Sequence, residues 1–119
     1  MSKAGAPDCD HPHVPSRAIA LLEDPKSIAD AAGMFRALGD PHRLRLLVRL
    51  SAGEVCVTEL AAQEGEKLST VSARLKTLHA VRLVKSRREA KHIFYSVTDD
   101  HVASVVRTAL DHASETSVR

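Results

Sequence analysis

The chain of 119 residues is 44% hydrophobic, 27% charged and 3% aromatic. This length and composition predict one folded domain and exclude a chain that is disordered throughout. No apolar run approaches the roughly 18 residues of a transmembrane helix, and the run at residues 18–22 is too short for a secretory signal. We therefore expect a cytoplasmic protein with no membrane partner, whose two cysteines act as ligands or redox groups rather than as a disulfide framework.

The net charge of +2 is distributed unevenly along the sequence. Residues 67–91 contain eight Lys or Arg and one acidic residue, so this stretch carries +7 and the rest of the chain −5. A basic segment in an otherwise acidic domain is typical of a protein that binds a polyanion. Charge alone leaves a solvated basic surface equally open, and the low aromatic content argues against stacking on single-stranded nucleic acid.

Two amphipathic helices are predicted in the first half of the chain. Asp24 and Asp40 each precede a proline, which pairs an N-cap with the residue that suits the first helical position. Gly39 and Gly53 are the expected stops. The apolar positions that follow the two caps at helical spacing are Ile28, Ala32, Phe35 and Leu38 in the first helix, and Leu44, Leu47 and Val48 in the second.

A short helix, a turn and a second helix are predicted next. Residues 58–64 form the short helix, which ends at Gly65, and Ser69 is placed to cap the helix that follows. The buried stripe of that following helix is predicted at Val71, Leu75 and Leu78. This order is the helix-turn-helix arrangement, in which the second helix enters a DNA major groove.

A hairpin and a last helix complete the predicted domain. Strand-like runs at residues 83–87 and 92–97 are joined by the charged residues 88–91. The last helix begins near Asp99, and its apolar stripe is Val102, Val105, Val106, Ala109, Leu110 and Ala113. The expected fold class is therefore mainly α with a small β-hairpin, a winged helix-turn-helix with the hairpin as the wing.

The basic stretch coincides with the second helix of the motif and with the wing, so we expect double-stranded DNA to be bound. The outward positions of that helix are predicted to be Thr70, Ala73, Arg74 and Thr77. Arg74 is expected to reach a guanine edge. The residues expected to contact bases or phosphates are Ser69, Thr70, Ser72, Arg74, Lys76 and Thr77 on the helix, and Arg87, Arg88 and Lys91 on the wing. For Ser69, a role limited to helix capping remains open.

The last helix also carries two imidazoles and two carboxylates, at Asp99, His101, His112 and Glu115. His101 and His112 share a face but lie about 16 Å apart along the helix, too far for one ion. An antiparallel copy of the helix in a homodimer would set the two ends opposite each other and create two sites suited to zinc, which cobalt can mimic. The alternative is that Asp99 is an N-cap and the others are surface residues.

Residues 1–15 contain three of the five prolines and predict a mobile arm ahead of the domain formed by residues 16–119. The arm concentrates a thiol and two imidazoles within a few residues. If it folds onto the start of the short helix, the ligands of a second metal site would be Cys9, His11, His13, Cys56 and Glu59. The alternative is a buried apolar Cys56 and an arm without a ligand.

From residue 35 to residue 115 the sequence resembles the ArsR/SmtB metal-sensing repressors, most closely their zinc-responsive branch. The stretches that carry the resemblance are residues 37–47, residues 54–60, Val71, Ser72, Leu75, Leu78, Leu83, Val84, His92 and Tyr95. The pairs Asp99-x-His101 and His112-x-x-Glu115 match the family's C-terminal-helix zinc site in residue type and spacing.

The resemblance implies a winged-helix homodimer that binds operator DNA when metal-free and releases it when zinc binds, with Cd²⁺, Pb²⁺ or Co²⁺ as further candidate ions. The regulated genes would then encode metal efflux or sequestration. Three positions depart from the family pattern. Glu59 stands where many members have Asp, Ala90 replaces a common wing-tip Gly, and Ala73 takes a place that is often polar.

Three other functions compete with this interpretation. A thiol-redox repressor of the same fold would pair Cys9 with Cys56 instead of binding zinc. A zinc-buffering protein would lack sequence-specific DNA binding. A zinc hydrolase is disfavoured because four saturating ligands leave no open position for water and no nucleophile–base pair stands out. We therefore expect no enzymatic activity.

Overall fold

The computed structural model describes residues 17–118. Six α-helices, one 3₁₀ turn and three short strands make up this part of the chain. The helices are α1 (Arg17–Ala20), α2 (Pro25–Leu38), α3 (Pro41–Ser51), α4 (Val57–Glu64), α5 (Leu68–Ala80) and α6 (Asp100–Val118), and the 3₁₀ turn is Leu21–Glu23. The strands are β1 (Val55–Cys56), β2 (Val84–Glu89) and β3 (His92–Val97). No helix within the described range is both long and apolar enough to cross a membrane.

Both aspartate caps form as predicted. The Asp24 carboxylate accepts hydrogen bonds from the backbone N–H groups of Lys26 and Ser27 at the start of α2. The Asp40 carboxylate accepts one from the backbone N–H of Arg43 (2.9 Å) at the start of α3. The Arg43 guanidinium in turn donates to the carbonyl oxygen of Ala37 (2.8 Å), which fixes the corner between the two helices. Each cap satisfies N–H groups that the helix itself leaves unpaired.

One hydrophobic core joins the helix-turn-helix to the sheet. Its central side chains are fully buried and come from three helices; the positions on α5 and Leu47 on α3 were predicted, whereas Leu46 and Leu50 were not. They are Leu46, Leu47 and Leu50 from α3, Leu60 from α4, and Val71, Leu75 and Leu78 from α5. The strands contribute Leu83 and Val84 at the base of the hairpin, and α6 contributes Val106. The core therefore holds α5 rigidly and leaves its opposite side exposed.

The sheet has one strand more than the sequence indicated. The order is β1-β3-β2 and both pairings are antiparallel, with Val55 opposite Tyr95 and Cys56 opposite Phe94. A strand of two residues is too short to produce a readable alternation. The predicted hairpin is confirmed, but β2 continues to Glu89, so the tip narrows to Ala90 and Lys91.

The predicted start of α5 is wrong. Ser69 does not cap α5, because the helix begins at Leu68 and Lys67 holds the cap position without a side-chain bond. Among the apolar positions predicted along α2 and α3, Ile28 (47%), Phe35 (65%) and Val48 (41%) are exposed in the single chain. The four-residue helix α1 and the turn after it had no predicted counterpart.

Candidate nucleic-acid interface and metal ligands

The two sides of α5 differ sharply. The side formed by Val71, Leu75 and Leu78 is buried in the core. The opposite side is exposed, and we call it the outer face of α5; its residues are Ser69, Ala73, Lys76 and Thr77. Since helix periodicity places these four residues together, they are the part of α5 that can approach a nucleic acid. Thr70 and Ser72 are half-buried at the flanks of this face.

Arg74 lies away from the outer face. Only 22% of its side chain is exposed, and its Nη1 atom lies 3.5 Å from Oε2 of Glu66, in the turn before α5. The same Oε2 atom lies 4.0 Å from Nδ1 of His42 on α3. The expectation that Arg74 is an outward position is therefore wrong. Arg74 stands three residues after the buried Val71 and four before the buried Leu78, so helix periodicity places it beside the buried stripe.

The carboxylate of Asp40 belongs to the same neighbourhood. The hydrogen bond from the Arg43 backbone N–H lowers its pKa most, and electrostatic interactions with Arg43, His42 and Arg74 lower that pKa further. Two carboxylates, of Asp40 and Glu66, thus lie near the Arg74 guanidinium. Glu66 was not identified from the sequence. The signal that could have identified it is its position immediately before the basic stretch.

The wing cations have different environments. The Arg87 guanidinium donates two hydrogen bonds of 2.8 Å to Glu54 and one of 2.9 Å to Glu89, and it stacks over the Phe94 ring at 4.6 Å. The bond from Arg87 also holds the pKa of Glu54 below its ordinary value. Arg88 and Lys91 are exposed near the tip. Arg87 therefore anchors the wing to the residue before β1, while the tip carries accessible charge.

The four candidate ligands on α6 and at its start are all exposed. Oδ1 of Asp99 accepts a hydrogen bond from the Val102 N–H (3.2 Å) and lies 3.6 Å from Nδ1 of His101. Asp99 is thus an N-cap, and its side chain and that of His101 are both exposed. His112 and Glu115 share the other end of the helix. Within residues 17–118 of a single chain, no three His, Cys, Asp or Glu side chains come together as a metal site.

Two of the five residues of the arm-linked ligand set lie in the described range. Cys56 is half-buried with a free thiol at the N-cap position of α4, and Glu59 follows in the first turn, where it accepts a hydrogen bond from Gln63 (3.4 Å). Cys9, His11 and His13 lie outside the described residues, as does the arm itself. The second metal site therefore stays a prediction.

An exposed apolar surface runs over α2 and α6. Three large side chains on it are strongly exposed, namely Ile28 (47%), Phe35 (65%) and Val105 (44%). Between the two helices lies an apolar cavity of about 190 Å³, with His101 at its edge. Surfaces of this kind on a small domain mark interaction sites. Only the tertiary structure separates these apolar positions from the core positions of the same helices.

Comparison with known proteins agrees with this architecture. Residues 40–86 match the model of the family described as "Bacterial regulatory protein, arsR family". The "Transcriptional repressor SmtB homolog" of Synechocystis sp. is 38% identical over 113 residues, which cover 92% of this chain and 86% of that protein. The "Cadmium resistance transcriptional regulatory protein CadC homolog" of Staphylococcus aureus is 36% identical over 87 residues, 72% of each chain.

A solved structure gives the same result for the fold. The solution NMR structure of a homodimeric winged helix-turn-helix DNA-binding domain from Mycobacterium bovis, described as a possible ArsR-family regulator, has a TM-score of 0.70 and 30% sequence identity. The match covers 88% of this chain and 92% of that one. Together with the winged helix-turn-helix and the extent of the SmtB match, this shows that the chain belongs to the ArsR/SmtB family of transcriptional repressors.

Proposed function

We propose that the protein is a zinc-responsive repressor, whose metal-free homodimer binds operator DNA and releases it when zinc binds. The observation that carries the proposal is the placement of Asp99, His101, His112 and Glu115 on α6. The four side chains are exposed and form two pairs, one at each end of the helix. The repressor would act in the cytoplasm, and the genes released from repression would encode metal efflux or sequestration.

The apolar surface over α2 and α6 supports the dimer. Ile28, Phe35 and Val105 are strongly exposed in the single chain, and a second copy would cover them. The homodimeric relative from Mycobacterium bovis has the same fold. A two-fold axis through this surface would run the two α6 helices antiparallel.

The donor set fits zinc. In an antiparallel pair, the first two ligands of one protomer meet the last two of its partner, giving two imidazoles and two carboxylates at each site. Zinc bound there would link the two α6 helices through four-coordinate N₂O₂ ligation. Co²⁺ accepts the same ligands, whereas the thiol-containing arm-linked set would better suit Cd²⁺ or Pb²⁺. The Asp99 bond to the Val102 N–H fixes this carboxylate beside His101 before any metal arrives.

The DNA side of the proposal uses α5 and the wing. The outer face of α5 would enter the major groove, and two such helices in the dimer would read half-sites about one helical turn of DNA apart. Arg88 and Lys91, exposed at the tip of the wing, would contact phosphates. Ser69 and Thr77 supply hydroxyls on the outer face.

The packing offers a route between the two sites. Val106 of α6 is buried against α3, and Leu50 of α3 shares the core with Leu75 of α5. A change in how the two α6 helices pair would therefore shift α3 and α5 as one body and alter the spacing of the two reading helices. A coupling free energy of about 1–3 kcal/mol is typical for such linked sites.

Zinc titration against operator binding tests the proposal. A fluorescent duplex carrying the protein's own promoter is bound by metal-free protein in a thiol reductant, and anisotropy is followed as zinc is added. We expect release with a loss of affinity of about tenfold or more. His112→Gln should bind DNA normally but lose most of this response, and His79→Gln, a histidine on α5, is the matched control that should keep it.

Each competing function has a distinct outcome in the same assay. Release by oxidant but not by zinc would support the thiol-redox repressor. Equal binding to promoter and scrambled duplexes would support the zinc buffer. A full zinc response in His112→Gln would remove the α6 site from the switch, and a Cys56→Ser variant would then test the arm-linked set.

A further inference from the structure

Four ionisable groups lie where the start of α3, the turn before α5 and α5 itself come together. We call them the turn cluster: Asp40, His42, Glu66 and Arg74. Glu66 is the centre, because Oε2 of this residue lies 3.5 Å from Arg74 Nη1 and 4.0 Å from His42 Nδ1. Asp40, at the cap of α3, adds a second carboxylate near Arg74.

The turn cluster holds the Arg74 guanidinium of α5. Arg74 is one residue away from the buried Leu75, its side chain is 22% exposed, and Glu66 is 31% exposed. An ion pair in such a partly buried place is screened less by salt than one on the open surface. The guanidinium therefore stays against the protein, on the flank of α5.

Lys76 is in the opposite situation. It lies on the exposed outer face of α5, and no acidic side chain among the described residues pairs with it. Within α5, whose residues are all described, Arg74 and Lys76 are the two Lys or Arg residues. One is neutralised by a neighbouring acid and the other is accessible.

We infer that Glu66 determines DNA specificity by holding Arg74 off the DNA, so that Lys76 is the cation that α5 presents to the groove. The inference rests on the proposed binding of DNA through α5. A released guanidinium at the groove edge can pair with any nearby phosphate, and such contacts strengthen binding to every sequence alike. Retention by Glu66 removes this sequence-independent contribution and keeps the difference between operator and other DNA large.

The test compares two duplexes over a range of salt concentrations. The first is selected by the wild-type protein from a random library, and the second is a scrambled duplex of the same composition. Glu66→Gln should bind the scrambled duplex about three- to tenfold more tightly, with the salt slope steeper by about one unit, and should lose specificity by a similar factor. Arg74→Gln alone should leave the salt slope unchanged, whereas the matched variant Lys76→Gln should flatten it by about one unit.

The double variant Glu66→Gln/Arg74→Gln separates retention from the simple loss of a negative charge. It should return the salt slope to the wild-type value, since the released cation is gone. If the tighter scrambled binding persists in the double variant, or if Arg74→Gln by itself flattens the slope or changes the preferred base at one position, the inference is wrong.

Folding and function are checked separately. Circular dichroism shows whether each variant is folded, and Glu66→Asp, which keeps the negative charge on a shorter side chain, should give a salt slope between those of the wild type and Glu66→Gln. A folded Glu66→Asp with a steeper salt slope than Glu66→Gln would contradict the inference. If the wild-type protein itself selects no preferred duplex, the proposed function fails and the inference fails with it.

Discussion

At the scale of single residues, two residues other than glycine have backbone conformations that favour glycine. Arg82 has φ 63° and Ala90 has φ 56°. Arg82 follows the end of α5. Its backbone N–H donates to the carbonyl oxygen of His79, and the N–H of Leu83 donates to the carbonyl oxygen of Leu78, which is the pattern of a Schellman motif. Ala90 closes the wing turn, so the turn keeps the left-handed residue even though the sequence lacks the usual glycine.

Replacement of Ala90 by glycine should stabilise the protein. The left-handed conformation strains an alanine more than a glycine, so we expect a gain of about 1 kcal/mol in the free energy of unfolding, measured by urea denaturation. The same substitution at Ala62, an exposed position inside α4, should cost about 1 kcal/mol. Equal effects at the two positions would contradict the strained turn.

At the scale of elements, one buried carboxylate ties α4 to α3. The Glu64 side chain is only 4% exposed and accepts a hydrogen bond from Arg45 Nε (2.7 Å) as well as one from Arg49. The bonds from Arg45 and then Arg49 hold the pKa of Glu64 below its ordinary value, against the opposing effect of burial. The ion pairs therefore fix the first helix of the helix-turn-helix on its scaffold.

The ion pairs of Glu64 with Arg45 and Arg49 should make the protein less stable as the pH falls. Because the pKa of Glu64 is lowered by folding, its contribution is complete above the ordinary glutamate value of about 4.3 and is lost as pH falls through the folded value. Glu64→Gln should cost about 1–3 kcal/mol of unfolding free energy at pH 7 and lose less stability than the wild type between about pH 5 and pH 3. Urea denaturation across this pH range measures the unfolding free energy of both proteins. If the two free energies changed with pH in parallel, Glu64 would not contribute to the pH dependence.

The wing supplies a second prediction at this scale, because its cations differ in pairing. Lys91→Ala should weaken binding to all duplexes alike and flatten the salt slope by about one unit, since Lys91 is exposed at the tip. Arg87→Ala should leave the slope nearly unchanged, because its charge is already paired with Glu54 and Glu89. Anisotropy titrations at several salt concentrations measure both slopes. If Arg87→Ala flattened the salt slope as much as Lys91→Ala, Arg87 would contact the DNA.

At the scale of the whole molecule, the fold of one chain leaves a large apolar surface without a cover. The positions on α6 divide between Val106, which is buried in the core, and Val105, which is exposed beside Phe35 of α2 in the lining of the same cavity. A helix that is apolar on two sides has two packing partners. The core of its own chain is one, and the second copy in the proposed dimer is the other.

Disruption of this surface should give monomers. Val105→Asp places a charge in the proposed interface, where its desolvation has no compensating partner, so we expect sedimentation at the monomer mass and loss of operator binding. Leu68→Asp, at a similarly exposed position on α5, is the control for mass and should sediment as the dimer. A dimeric Val105→Asp would place the interface elsewhere.

The predictions that succeeded came from local signals. The Asp-Pro caps, the stop at Gly65 and the stripe of Val71, Leu75 and Leu78 depend on residues within a turn or two of one another, so the order of helices and the hairpin could be read along the chain. The ligand pairs on α6 also come from spacing and stay a prediction, although the Asp99 side chain is held at the start of the helix by its bond to the Val102 N–H.

The sequence by itself thus determined the winged helix-turn-helix, its basic segment and the spacing of the candidate ligands. Only the tertiary structure decided that Arg74 is retained by Glu66, that Arg87 is bound to Glu54 and that Phe35 is exposed rather than buried. The physical reason is that charge and hydrophobicity are properties of a residue, whereas pairing and burial depend on what distant parts of the chain place beside it.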